Sequence, residues 1–276
     1  MKWFTHIFGD TSTDNSIPDS FALIRGGEFM MGSPVHEINR LNWETQHHVR
    51  VSDFYMCKHA VTVAEFRKFA EATGSFSVTT SNDTVKTAGV NWRHGALGGI
   101  RPQAEDNHPV LHVSWNDAVA YCNWLSINTQ KPFRLPTEAE WEYACRAGTT
   151  TPFNTGENLL PNQANYNGNE FIKDEPGLFR KNTCAVNSFA PNALGLYNMH
   201  GNVFEWCSDW FGVNYYDECK ASGTVTNPAG PATGSNRVLR GGSWGIDVEY
   251  CRSAYRIYRT PDNRRSNIGF RLVFTR

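Results

Sequence analysis

The chain has no apolar run near the ~20 residues that a membrane-spanning helix needs, and no cysteine pair in a C-x-x-C arrangement. Nor does it have a net field: 26 basic residues against 27 acidic ones leave a charge of -1. Each absence excludes something. Without a long apolar run there is no membrane span. Near-neutral charge gives no sequence-wide attraction for nucleic acid. With 7 cysteines, an odd number, and no paired spacing, neither a complete disulfide framework nor a zinc site is indicated. A nucleophile elbow, a phosphate loop and a metalloprotease helix are also missing, as are internal repeats. Histidines are scattered, and the adjacent His47 and His48 would point to opposite sides of a strand. The N-terminus, from Met1 to Asp10, has one lysine and too short an apolar stretch for a secretion signal. No targeting signal is present, so the default expectation is cytoplasmic, or cell-surface or exported if a leader was trimmed.

What remains is a protein of 276 residues, 40% hydrophobic and 19% charged, which has the composition of an ordinary globular domain. Residues 1–17 read as a flexible polar arm, and 18–276 as a single domain. Strands are expected at Phe21–Ile24, near His48–Val51 leading into Phe54–Met56, at Asn202–Trp206, at Arg237–Arg240 and at Gly269–Val273. Helix starts are signalled by Thr62 with Glu65, Ser114 with Asp117, and Thr137 with Glu140. In each pair the hydroxyl accepts from a free amide of the first turn and the acid reaches back. Gly74 and Gly148 are the expected stops, and Cys122 and Cys145 fall on the apolar faces. From Asn154 to Asn192 glycine, asparagine and proline recur, as in a long loop that something must hold.

The most informative stretch is the tail, about 240–271. Its pieces Gly241-Gly242-Ser243-Trp244, Cys251-Arg252-Ser253-Ala254, Thr260-Pro261-Asp262-Asn263-Arg264 and Ile268-Gly269-Phe270-Arg271 read as a rigid frame. Between them lie Gly245, Ile246, Asp247, Tyr250, Tyr255, Ile257, Tyr258, Arg259, Arg265 and Ser266. This filling mixes aromatics, aliphatics and charges with no helical or strand period, which suits a binding surface better than a core. Tyrosines offer contact area at small entropy cost, and Arg259 and Arg265 offer forks for carboxylate or phosphate. The competing reading makes Tyr255 and Tyr258 core aromatics. From 252 onward the tail holds Arg252, Arg256, Arg259, Arg264, Arg265, Arg271 and Arg276 against the single acid Asp262. These are either buried structural ties or an anion site.

Several segments together resemble the formylglycine-generating-enzyme/sulfatase-modifying-factor family. They are Gly26 to Ser33, Val61 to Phe66, His108 to Trp115, Arg134 to Ala144, Gly195 to Trp206 and the tail frame. The resemblance implies an α+β, C-type lectin-like fold with few helices, short strands and long irregular loops. It also implies that oxidase members hold copper between two cysteines five residues apart, at positions that here are Ile246 and Cys251. A lone thiolate does not make that soft-ligand pair, so the expectation is a protein that is not an enzyme. Within the family the tail is similar to the variable region of diversity-generating-retroelement target proteins. Adenine-directed mutagenesis of asparagine codons cannot produce Glu, Lys, Gln, Met or Trp, and the filling contains none of these; Glu249 breaks the rule and lies outside it. The function so implied is binding of a macromolecular or cell-surface ligand, protein or glycoconjugate. The alternative is a copper oxidase or other redox enzyme of the same family. No cofactor is required on this reading. A structural calcium is implied at Asn198, Gly201, Val203 and Glu205, and a second at Asn165, Tyr166 and Phe179 with an acid such as Glu175 nearby. For Glu205 the competing reading is a buried carboxylate tied to backbone amides.

Overall fold

The computed structural model describes residues 17–74, 89–169 and 177–275. The polar arm, except its last residue, lies outside them. Strands β1 (Phe21–Ile24), β4 (Phe54–Cys57) and β10 (Val273–Phe274) form one small sheet, in the order β1-β4-β10. β10 thus joins the end of the chain to its beginning. A second sheet has the order β2-β3-β6, from β2 (Gly27–Met31), β3 (His47–Val51) and β6 (Val225–Thr226). In β3 the residues His47, Val49 and Val51 are buried and the ones between are exposed, which is the period-two pattern of a one-sided strand. The third sheet has the order β8-β7-β5-β9, from β5 (Phe204–Trp210), β7 (Arg237–Arg240), β8 (Arg256–Arg259) and β9 (Ile268–Gly269). The strand expected at Gly269–Val273 is therefore split: its two ends serve different sheets.

All the signalled helix starts carry full capping boxes. They open α1 (Val63–Thr73), α2 (Trp115–Thr129) and α3 (Glu138–Arg146). Gly74 closes α1 in the left-handed conformation, whereas α3 closes one residue before the expected Gly148, at Ala147. A short helix, α4 (Tyr215–Ala221), carries no hydroxyl-acid signal, and its N-cap Asn214 makes no side-chain cap bond. α1 and α2 meet through Phe66, Phe69 and Tyr121, which with Trp206 and Phe270 belong to one large apolar cluster. α3 buries Trp141, Ala144 and Cys145 in a second cluster, shared with Val49, Phe54 and Val238. Rings such as Trp141 and Trp206 are completely buried and contribute large apolar area to these clusters. Both indoles also find partners: Trp206 donates to the Val113 carbonyl at 3.1 Å and Trp141 to Glu205 at 2.8 Å. Among the described residues no helix is long and apolar enough to cross a membrane. The described parts of 154–192 hold only turns and isolated bridges, such as Asn165 with Gly201 and Asn167 with Phe179.

Candidate functional site

β7 and β8 are antiparallel neighbours, with Arg240 opposite Arg256. The tail between them, residues 241–255, is a long loop that folds back over α3 and includes one 3-10 turn at Val248–Cys251. Its frame is fastened by arginines. Arg252 donates to Glu37, to both oxygens of Glu44 (2.9 and 3.0 Å) and to the Asn39 carbonyl. Arg256 grips both oxygens of Glu138 at 2.7 and 2.6 Å. Arg240 pairs with Glu142 and donates to the Tyr255 carbonyl. Arg271 forks onto Glu205 at 2.6 and 2.8 Å. Arg264 forks onto Asp117, the capping acid of α2, at 2.9 and 3.0 Å. Arg240, Arg256 and Arg271 are fully buried. Charged hydrogen bonds of this two-pronged kind fix geometry as well as charge. The excess of tail arginines is thus balanced largely by carboxylates from earlier in the chain. That excess was the one signal in the sequence that such partners exist.

The filling behaves differently. Gly245 is exposed, and Tyr250 and Tyr258 are 37% and 38% exposed. Asp247, Arg259, Arg265 and Ser266 are half-buried. Asp247 accepts from the Asn167 side chain at 2.9 Å, and the Ser266 carbonyl accepts from the Trp244 indole at 2.9 Å. Ile246 and Ile257 are half-buried against the large apolar cluster, so they serve packing as well as surface. Tyr255 departs from the expected surface set. It is 9% exposed, because its ring belongs to the large apolar cluster and packs against Tyr250, with ring centroids 5.1 Å apart. Tyr250 and Tyr255 are brought together. Tyr258 sits elsewhere, against Phe211 at 4.2 Å.

Cys251 is fully buried, and burial pushes its thiol well above the ordinary range. Cys122 and Cys145, also buried, are pushed up to about 12 by the same cause. Protonated buried thiols are poor nucleophiles and poor metal ligands. All 7 cysteines are free. Ile246 has no donor atom, so positions 246 and 251 do not fit the copper pair that the resemblance implies. His200, whose imidazole shares a hydrogen bond of 2.7 Å with the Cys251 carbonyl, is held neutral by burial, its pKa lowered to about 4.

Among the described residues no group of three or more His, Cys, Asp or Glu could hold a metal. Of the residues expected around calcium, Asn198 has a buried Oδ1 with no partner, as a cation ligand would. Both oxygens of Glu205 accept hydrogen bonds, from Arg271 and from the Trp141 indole, and not from backbone amides. The Gly201 carbonyl accepts from the Val203 amide at 2.9 Å. Around the second candidate, Asn165 also has an unpartnered Oδ1, while Glu175 lies outside the described residues.

The model of the sulfatase-modifying factor enzyme 1-like domain matches residues 8–276. The formylglycine-generating enzyme of Mus musculus is 37% identical over 282 residues, covering 90% of this chain and 73% of that protein. Among solved structures, PvdO from Pseudomonas aeruginosa superposes with a TM-score of 0.76 at 30% identity, covering 93% of this chain and 94% of PvdO. Treponema denticola variable protein 1 superposes with a TM-score of 0.68 at 26% identity, covering 95% of this chain and 97% of that one. The fold is that of this group, α+β and of the formylglycine-generating, C-type lectin-like kind. The first of these likenesses overturns the expectation, drawn from Ile246, of a protein that is not an enzyme. Likeness at this level over nine-tenths of the chain to a protein named as an enzyme points to enzymatic function.

Proposed function

Because the chain belongs to the sulfatase-modifying factor enzyme 1-like family, we propose that it is an enzyme-family protein that recognises its ligand through the tail filling, residues 245–266. The observation that carries this is the division of labour in the tail. Arg252, Arg256 and Arg271 are buried in ion pairs, whereas Gly245, Tyr250 and Tyr258 reach solvent and take no part in those pairs. A surface of that kind changes its chemistry without disturbing the fold beneath it. The likeness to a variable protein supports the further proposal that these positions are diversified by a retroelement. The ligand proposed is a protein or glycoconjugate surface, met by the exposed tyrosines and the half-buried isoleucines and arginines. Ile246 has no donor atom and the Cys251 thiol is buried, so these two side chains supply no reacting group to a ligand on this face. The tail's own work is to bind and orient.

Sequencing this gene in sibling strains tests the reading. Differences should concentrate at Gly245, Ile246, Asp247, Tyr250, Tyr255, Ile257, Tyr258, Arg259, Arg265 and Ser266, at codons carrying adenine in a template copy. Differences spread evenly along the tail, frame included, would sink it.

A further inference from the structure

A cavity of about 640 Å³ lies between the loop at Pro34–Asn39, the loop at Thr150–Leu159 and the 3-10 turn of the tail. That is within the usual range for small-ligand sites. Its apolar wall includes Phe153, Leu159 and Val248, and its carboxylates are Glu37, Glu157 and Glu249. Arg252, the cation in the wall, is already saturated by Glu37, Glu44 and the Asn39 and Glu249 carbonyls. Arg252 thus serves two carboxylates, Glu37 and Glu44, with Arg146 adding only its field at Glu37. Glu37 is 8% exposed, and its Oε2 is buried with no hydrogen-bond partner. A buried, half-satisfied carboxylate in a cavity wall is a costly arrangement unless something completes it. Ile38, beside it in the wall, is 80% exposed, as is suitable for an apolar body lying over it.

We propose that this cavity binds an organic ammonium: a cationic head directed to Glu37, with Glu157 and Glu249 adding field, and an aliphatic stem along Phe153, Leu159 and Val248. Burial raises the Glu37 carboxyl above its ordinary range against the pull of Arg252 and Arg146, and a ligand cation would relieve that cost further. The chemistry is that of a free alkylamine or of a lysine side chain.

Calorimetric titration of the whole protein with n-hexylammonium chloride tests the site. Saturable binding is expected, with 1-hexanol and hexanoate, of the same length, at least ~10-fold weaker. Glu37→Gln keeps an acceptor for Arg252 and should weaken hexylammonium about 10-fold. The double substitution Glu157→Gln/Glu249→Gln leaves the Arg252 ion pairs untouched and should weaken it in the same direction, so the test survives if Glu37→Gln does not fold. Acetyl-Gly-Lys-Gly-amide separates the sources: binding as tight as the free amine assigns a lysine of a protein partner, and weaker binding assigns a small amine. Hexanol binding as well as hexylammonium, no saturable binding of either amine probe, or binding indifferent to the glutamate substitutions would overturn the proposal. The tail residues in this wall, Val248, Glu249 and Arg252, are not among the filling positions, so failure here leaves the proposed recognition face standing.

Discussion

Arg256→Ala is expected to lower the unfolding free energy by about 3–5 kcal/mol, read from urea melts. The guanidinium is fully buried, clamps both oxygens of Glu138, and stacks over the Tyr216 ring at 3.9 Å from its centroid. Its removal leaves Glu138 in the interior with only the longer contact to Arg240, at 3.4 Å. The effect is large against the roughly 5–15 kcal/mol that holds a typical domain together. The cost comes from the orphaned charge and not from a large net value of the pair. Arg256→Met combined with Glu138→Gln should therefore cost less than Arg256→Ala alone. If the double variant is the weaker of the two, the buried-charge account of the frame is wrong.

Gly242→Ala should cost about 2–4 kcal/mol, from a strained backbone and an overpacked contact together. Gly242 has φ +77, a region that side chains disfavour, and a Cβ there would lie 2.9 Å from the Cys251 Cα and 3.0 Å from the Tyr250 carbonyl oxygen. Cys251, whose Sγ a Cβ would also meet, is wholly buried and has no room to yield. Gly245→Ala, three residues on, is the control. A Cβ there meets nothing within 4 Å, and its φ is unexceptional. Thermal melts should show Gly242→Ala several degrees lower and Gly245→Ala unchanged. Equal shifts would mean that the loop is not held where the frame and filling divide.

Much of the helical scaffold was legible because its signals are local. A capping box spans only the first turn of a helix, and each of the boxes that were read opens a helix. α4 was missed because it has no such box and is only 7 residues long. The tail frame was legible as composition, but its function as a fastener was not, since Arg256 finds its carboxylate 118 residues away and Arg252 finds Glu37 215 residues away. No local rule carries that information. Tyr255 and Tyr258 illustrate the same limit. They are three residues apart, yet one is 9% and the other 38% exposed, because the Tyr255 ring joins the large apolar cluster whereas Tyr258 lies in β8 against Phe211. The acidic cavity around Glu37 was invisible for a related reason: three separate stretches of chain form its wall.

The division of the tail into frame and filling is tested most directly by a library. Randomising Gly245, Tyr250, Tyr258 and Arg259 together, and in a second library Arg252, Ser253, Arg256 and Phe270, allows the melting temperatures of expressed clones to be compared. Most clones of the first library should melt within a few degrees of the parent, and most of the second should not fold. Similar losses in both libraries would contradict the account.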